Sequence, residues 1–166
     1  MPLLEVLSDL WEGRYMDRLK LIQRVRILTR DLTGSIFREH DIVDFINEGI
    51  NRFVQVIPEL KDLEELNNNT DVPSLIPKQY QHLLAVYATS RCFGQDERHY
   101  QASNLMNEFE VKLDELKMNI ENGTIAILDG DGNVVENDIP IDYVDLKPYW
   151  GSGAVVDFDE GVEGVE

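Results

Sequence analysis

Asp129, Asp131 and Asn133 are the residues whose types and spacing come nearest to a chemical site. Oxygen-bearing side chains at alternate positions of a tight loop can surround a hard cation, as the first ligands of a calcium loop do. That loop continues with a glycine and closes on a glutamate, and here the corresponding positions hold Val134 and Pro140. The same stretch carries the Asp-Gly and Gly-Asn pairs that supply the positive φ angles of a hairpin turn, so a plain turn is the stronger reading and a metal-dependent enzyme the weaker one. His40, His82 and His99 are scattered, with no pair at the i, i+4 spacing that aims two imidazoles from one helix at a metal. Cys92 is the single cysteine, which leaves no internal disulfide and no zinc spacing. Arg91 beside it is a group able to lower a thiol pKa, but no histidine adjoins it, and a small core residue is the expected role. The chain has no phosphate-cradling glycine loop, no nucleophile elbow and no motif-spaced pair of carboxylates. The sequence therefore predicts a protein with no catalytic residue, no cofactor and no metal.

Charge is the stronger feature. The 166 residues comprise 15 Lys plus Arg against 32 Asp plus Glu, a net charge of -17, with 43% hydrophobic residues. That hydrophobic content supports one small folded domain, and the acidity points to a tail. No apolar run approaches the roughly 20 residues of a membrane span. Residues 1–13 hold three acids and no basic segment, so they do not read as a signal peptide, and a soluble cytosolic protein with no membrane partner is expected. The distribution is uneven. Residues 14–38 carry seven bases, Arg14, Arg18, Lys20, Arg24, Arg26, Arg30 and Arg38, against Asp17 and Asp31, whereas residues 121–166 carry twelve acids against Lys147 alone.

Four helical patterns must position these groups. In the first, residues 14–32, Tyr15, Leu19, Ile22, Val25, Leu28 and Leu32 form a broad apolar arc, with Lys20, Arg24 and Arg30 on its back. The second begins near Asp41 and places Ile42, Phe45, Ile46, Ile50, Phe53 and Ile57 at three- and four-residue steps until Pro58 stops it. Asn67, Asn68, Asn69 and Thr70, with Pro73 and Pro77, make a loop. The third runs from Pro77 or Lys78 to Phe93, with Tyr80, Leu83, Leu84, Tyr87 and Ala88 inward and Gly94 as its C-terminal cap. The fourth, residues 96–122, sets Ala102, Met106, Phe109, Leu113, Leu116 and Ile120 in a coiled-coil-like seam whose expected partner is the third helix. Residues 124–128 and 134–136 flank the turn at 129–133 as two strands. The expected fold class is mainly α, a small helical bundle of about four helices over residues 1–122. A short β-hairpin over 123–137 and an extended acidic C-terminal arm over 138–166 complete it.

Two surfaces stand out as candidates for binding a partner. Lys20, Arg24 and Arg30 are able to meet phosphates, but a chain of net charge -17 is repelled from DNA at long range, which favours a protein contact or salt bridges to acids on a neighbouring copy. The same repulsion suits a channel wall along which DNA slides without sticking. In the arm, Ile139, Ile141, Tyr143, Val144, Leu146, Tyr149 and Trp150 are interspersed with Asp138, Asp142 and Asp145, so large apolar groups stand where no helix pattern gives them a core. They either fold back on the bundle or dock elsewhere. Their alternation suits an extended strand added to another subunit's sheet edge, with Tyr149 and Trp150 as anchors.

The run Phe37-Arg38-Glu39-His40-Asp41-Ile42-Val43-Asp44-Phe45-Ile46-Asn47-Glu48-Gly49-Ile50 follows an Arg-rich helix end and precedes a Pro-bounded loop. A second run, Ile76-Pro77-Lys78-Gln79-Tyr80, leads through Leu84, Tyr87 and Ala88 to the long helix with Met106, Phe109, Leu113 and Ile120. Together, over residues 15–122, they resemble the head-to-tail adaptor family of tailed bacteriophages, also called connector or head-completion proteins. The resemblance implies a noncatalytic virion protein, a helical bundle that forms a homo-oligomeric ring, commonly dodecameric, beneath the portal protein. Such a ring links the DNA-filled capsid to the tail or to the next connector protein, and DNA passes through its channel without specific binding. The implied location is the head-tail junction of the virion, with host cytoplasm during assembly, and neither a reaction nor a cofactor is implied. In that family a C-terminal segment often reaches the portal, which would give residues 139–150 a partner and leave the basic first helix for a subunit or portal contact. The hairpin and long acidic end depart from a minimal adaptor. The residues themselves leave another class open, an acidic regulatory module or DNA mimic acting on a basic partner site, whose mark would be acids clustered on one face of the bundle.

Overall fold

The structure, a computed structural model, describes residues 15–135. By its contacts the chain divides into Met1–Glu136 and Asn137–Glu166, and all described residues belong to the first unit. That unit is mainly helical, as expected, with four α-helices among the described residues: α1 (Arg18–Thr29), α2 (Glu39–Val56), α3 (Leu83–Gln95) and α4 (His99–Glu121).

The start of α1 shows how the loop after α2 sets the chain's path. A helix begins with N–H groups that have no partner within it. Here Arg18 N–H donates to Asp71 O (2.9 Å) and Leu19 N–H to Asn69 O (3.2 Å), while Lys20 N–H donates to the Asp17 carboxylate (2.8 Å). Asp17 is thus the N-cap, and the helix starts at Arg18 rather than Arg14. At the other end Arg30 turns left-handed (φ 58°), and Asp31 N–H reaches back to Arg26 O (3.0 Å), closing a Schellman turn before Leu32. The buried face is also not the expected arc. Leu21, Ile22, Val25 and Thr29 point inward together with Met16, whereas Tyr15, Leu19 and Leu32 are exposed, Leu32 at 73%. Apolar residues lie on both sides of α1, so its own pattern does not choose a face.

α2 follows its sequence pattern closely. Ile42, Phe45, Ile46, Ile50 and Phe53 are buried along one stripe, and Pro58 opens a short 3₁₀ turn, Pro58–Leu60, where the helix stops. Gly49 lies on the same stripe, and a Cβ there would come within 3.2 Å of the Tyr87 ring, so the glycine allows α2 to approach α3 closely.

α3 begins at Leu83, later than the expected Pro77 or Lys78, because Lys78–Tyr80 forms a 3₁₀ turn first. It also ends later, with Gly94 still helical. The chain reverses at Glu97 (φ 57°), and Arg98 N–H donates to Phe93 O (2.9 Å). α4 follows at once and lays Phe109, Leu113 and Leu116 against α3, its expected partner, with Met106 and Ile120 half-buried beside them. α3 packs against all three other helices and is the centre of the bundle. Phe109 links the layers, with its ring 5.7 Å from that of Phe53 and 5.0 Å from that of Tyr87, both edge-to-face. Arg52 of α2 adds a two-pronged bond to Glu110 of α4 (3.0 and 2.9 Å).

After α4 the expected hairpin does not appear as two strands. The described residues hold a single antiparallel bridge, Leu128 to Val134, with Asp129 N–H on Asn133 O and Val135 N–H on Ile127 O. Ile127 enters the bundle core and Ile125 and Val135 pack against it, while Leu128 and Val134 remain exposed. Residues 138–166, the expected arm, lie outside the described residues.

Candidate interaction surface

Among the described basic residues of the 14–38 window, Arg18 and Arg26 fasten the fold. Arg18 donates through Nη1 to the carbonyl oxygens of Leu66 (3.5 Å) and Asn67, fastening α1 to the loop. Arg26 lies 3.6 Å from the Asp31 carboxylate and donates to Phe37 O. Asp31 is buried and accepts from the N–H groups of Ser35 (2.9 Å), Ile36 (3.1 Å) and Phe37 (2.8 Å). The Phe37 N–H above all, with those of Ile36 and Ser35, holds its carboxyl below the ordinary range against the opposing effect of burial.

The three predicted contact residues of this region have different surroundings. Lys20 and Arg24 stand one helical turn apart on the side of α1 away from Leu21, Ile22 and Val25. Lys20 leans back to Asp17 (3.3 Å), an exposed pair of small energetic weight. Arg30 is exposed beyond the last helical residue and so out of register with the other two. It borders a hollow of about 290 Å³ between the end of α1 and the α3–α4 corner, lined also by Ile27, Leu28, Phe93 and Arg98. The other predicted contact residues, Ile139, Ile141, Tyr143, Leu146, Tyr149 and Trp150, lie outside the described residues.

The residues weighed for chemistry do not converge. His40 pairs with Asp44 (3.0 Å) at the start of α2, His82 precedes α3 and His99 opens α4. Arg91 does not activate Cys92. Its guanidinium turns to Glu48 (3.0 Å) and the Phe45 ring, and burial pushes the Cys92 thiol up to about 12, so at neutral pH it is not a thiolate. The Asp129 carboxylate accepts from the N–H groups of Asp131 (2.9 Å) and Asn133 (2.8 Å), and Gly132 takes φ 83°. Its oxygens therefore shape the turn itself. Among the described residues no group of three or more His, Cys, Asp or Glu is placed to hold a metal, and no helix is long and apolar enough to cross a membrane.

The larger hollows are open. One of about 400 Å³ joins Tyr15, Leu75, Pro77 and Lys78 to Leu128 and Gly130, with Lys78 Nζ 3.9 Å above the Tyr15 ring. Another, about 440 Å³, lies in the acidic loop around Asp62, Glu64 and Glu65. Asp71 in that loop is drawn below the usual carboxylate range, chiefly by the Asn68 N–H, and so acts as a loop brace.

Sequence reading missed one surface. Tyr100, Val111 and Met118 of α4 are largely exposed. Their steps of eleven and seven residues, close to whole numbers of helical turns, are the signal that would have found it. Compared with known proteins, the chain matches no protein-family model, no curated protein and no solved structure.

Proposed function

We propose that the chain is a noncatalytic structural protein of a tailed-phage virion, a head-to-tail adaptor whose copies form a ring beneath the portal and link the DNA-filled capsid to the tail. The observation that carries the reading is the packing of the two segments that resemble that family. Ile42, Phe45, Ile46 and Ile50 from one share a core with Tyr80, Leu84, Phe109 and Leu113 from the other. In this reading the 123–137 hairpin and the acidic arm complete the fold, Ile139 to Trp150 anchor on the portal, and Lys20, Arg24 and Arg30 meet a neighbouring subunit or the portal. A net charge of -17 on every copy repels DNA phosphates, so DNA passes the channel without specific binding.

Mass photometry of the full chain, alone and mixed with candidate portal rings, tests the proposal. The expected result is a ring-on-ring mass at fixed stoichiometry. Replacing both Tyr149 and Trp150 by Ala should abolish that mass while leaving thermal unfolding unchanged, since interface anchors each contribute on the order of 2 kcal/mol or more. A folded protein that stays monomeric in both samples refutes the adaptor reading. It would favour the acidic regulatory module or DNA mimic, whose basic partner a pull-down would then identify.

A further inference from the structure

The turn between α1 and α2 presents apolar side chains on a braced backbone. Leu32 and Ile36 are 73% and 56% exposed, on either side of a tip formed by Thr33, Gly34 and Ser35. Asp31 holds the turn from inside by accepting from the Ser35, Ile36 and Phe37 N–H groups. Gly34 takes φ 68°, and a Cβ there would meet Arg26 Nη1 at 2.7 Å, so the tip tolerates only glycine in this path. The Thr33 hydroxyl donates to that of Ser35 (3.1 Å), so the polar groups of the tip answer one another. A turn fixed in this way gives up little freedom when it docks. Arg30 and Arg38 frame it, both exposed, and neither guanidinium makes a hydrogen bond or ion pair among the described residues.

The loop at the other end of α1 carries the converse surface. Leu63, Val72 and Leu75, all half-buried, line the hollow of about 440 Å³, which is large enough for two aliphatic side chains. Asp62 and Glu64 line it too, and their carboxylates make no hydrogen bond or ion pair among the described residues. The neighbouring acids are engaged: Glu65 accepts from Asn51 Nδ2 (3.3 Å), and Asp71 from the Asn67 and Asn68 N–H groups. Residues 59–71 together hold five acids against Lys61. This loop adjoins the start of α1, where Arg18 N–H meets Asp71 O, whereas the turn follows its end, 12 residues or about 18 Å away. One chain therefore does not seat its own turn in its own hollow.

We infer that the 30–38 turn of one copy seats Leu32 and Ile36 in the 62–75 hollow of a second copy, with Arg30 and Arg38 facing its free carboxylates. Charge complementarity selects this occupant. Two turns would bring arginines together and two hollows would bring carboxylates together, so each surface repels its own kind and attracts the other. The contact joins unlike surfaces at opposite ends of α1, so each pair keeps one free turn and one free hollow, and further copies add until a ring closes. The inference rests on the proposed ring reading and names the contact that joins one copy to the next.

Sedimentation velocity of the full chain over a wide concentration range, with two charge-reversed variants, tests it. The turn variant combines Arg30→Glu and Arg38→Glu, and the hollow variant combines Asp62→Lys and Glu64→Lys. All four sites are exposed, and Arg38→Glu puts an acid at the start of α2, where the helix end favours it, so both variants should fold. Each alone should self-associate about tenfold or more weakly than the parent, and an equimolar mixture should recover most of the loss, because each then offers the other a complementary surface. The hollow variant is the less negative chain, so a general charge effect would strengthen its association where the inference expects weakening. Disulfide trapping gives a second test. Ile36→Cys and Ser74→Cys chains, mixed, should form a mixed dimer, with the buried Cys92 taking no part. Cross-linking of Ile36→Cys only to itself would overturn the inference. A Ser74→Cys thiol shielded from a maleimide even in dilute monomer would show a segment of the same chain over the hollow and overturn it as well. Oligomers unchanged in both charge variants would overturn it and leave the ring standing on other faces. A chain that is monomeric at every concentration also overturns it, and the adaptor reading is then judged by the portal rings alone.

Discussion

Gln81 is fully buried and ties three stretches of chain together. Its Oε1 accepts from Met16 N–H (2.9 Å), and its Nε2 donates to Ile76 O (3.0 Å) and Pro73 O (3.2 Å). Gln81→Leu keeps most of the volume and removes every one of these bonds. Pro73 O retains the Ile76 N–H, so two groups are orphaned, Met16 N–H and Ile76 O. At about 1–3 kcal/mol per buried orphan the loss is about 2–6 kcal/mol, and the apolar gain of leucine offsets about 1 of it. The expected net cost is about 3 kcal/mol, equivalent to roughly 6–12 °C in the unfolding midpoint. Urea unfolding followed by far-ultraviolet circular dichroism measures it, with an unchanged m value showing that the cooperative unit is intact. The start of α1 should also open locally, so amide exchange at Leu21 and Ile22 should accelerate more than at Ile46 or Ile50. A cost below about 1 kcal/mol at unchanged m would refute the claim that these bonds fix the N-terminal segment to the loop.

Phe53→Ala should cost about 3–5 kcal/mol in the same assay, because the ring is fully buried against Phe109 and its removal leaves a cavity. Asp31 has a folded pKa below its ordinary value of 3.8, so its contribution to stability is present above that value and is lost as pH falls through the folded pKa. In an acid series of urea melts, Asp31→Asn should be less stable than the parent at neutral pH and show a flatter decline on acidification; an equal slope would refute the assignment. Arg30 holds a left-handed conformation that costs an ordinary side chain more than glycine, so Arg30→Gly should raise stability by about 0.5–1 kcal/mol, read from the urea midpoint.

The sequence by itself determined the helical class, the four helices of the described residues 15–122, and the inward faces of α2 and α4. In those two helices one apolar stripe repeats at the helical period, so only one side can go to the core, and Pro58, Asn122 and Gly123 mark their ends. Tertiary structure decided the rest, because the deciding partners are distant or compete. α1 is apolar on both sides, and the loop carbonyls of Asn69 and Asp71 and the buried Asp31 turn choose which side enters. An arginine at a given spacing looks the same whether it is solvated or consumed. Only the folded chain shows Arg18 spent on carbonyls 48 and 49 residues away and Arg26 spent on Asp31. Gln81 gave no sign in the sequence either, since a polar residue before a helix is ordinary until Met16, Pro73 and Ile76 close around it and remove water from its amide.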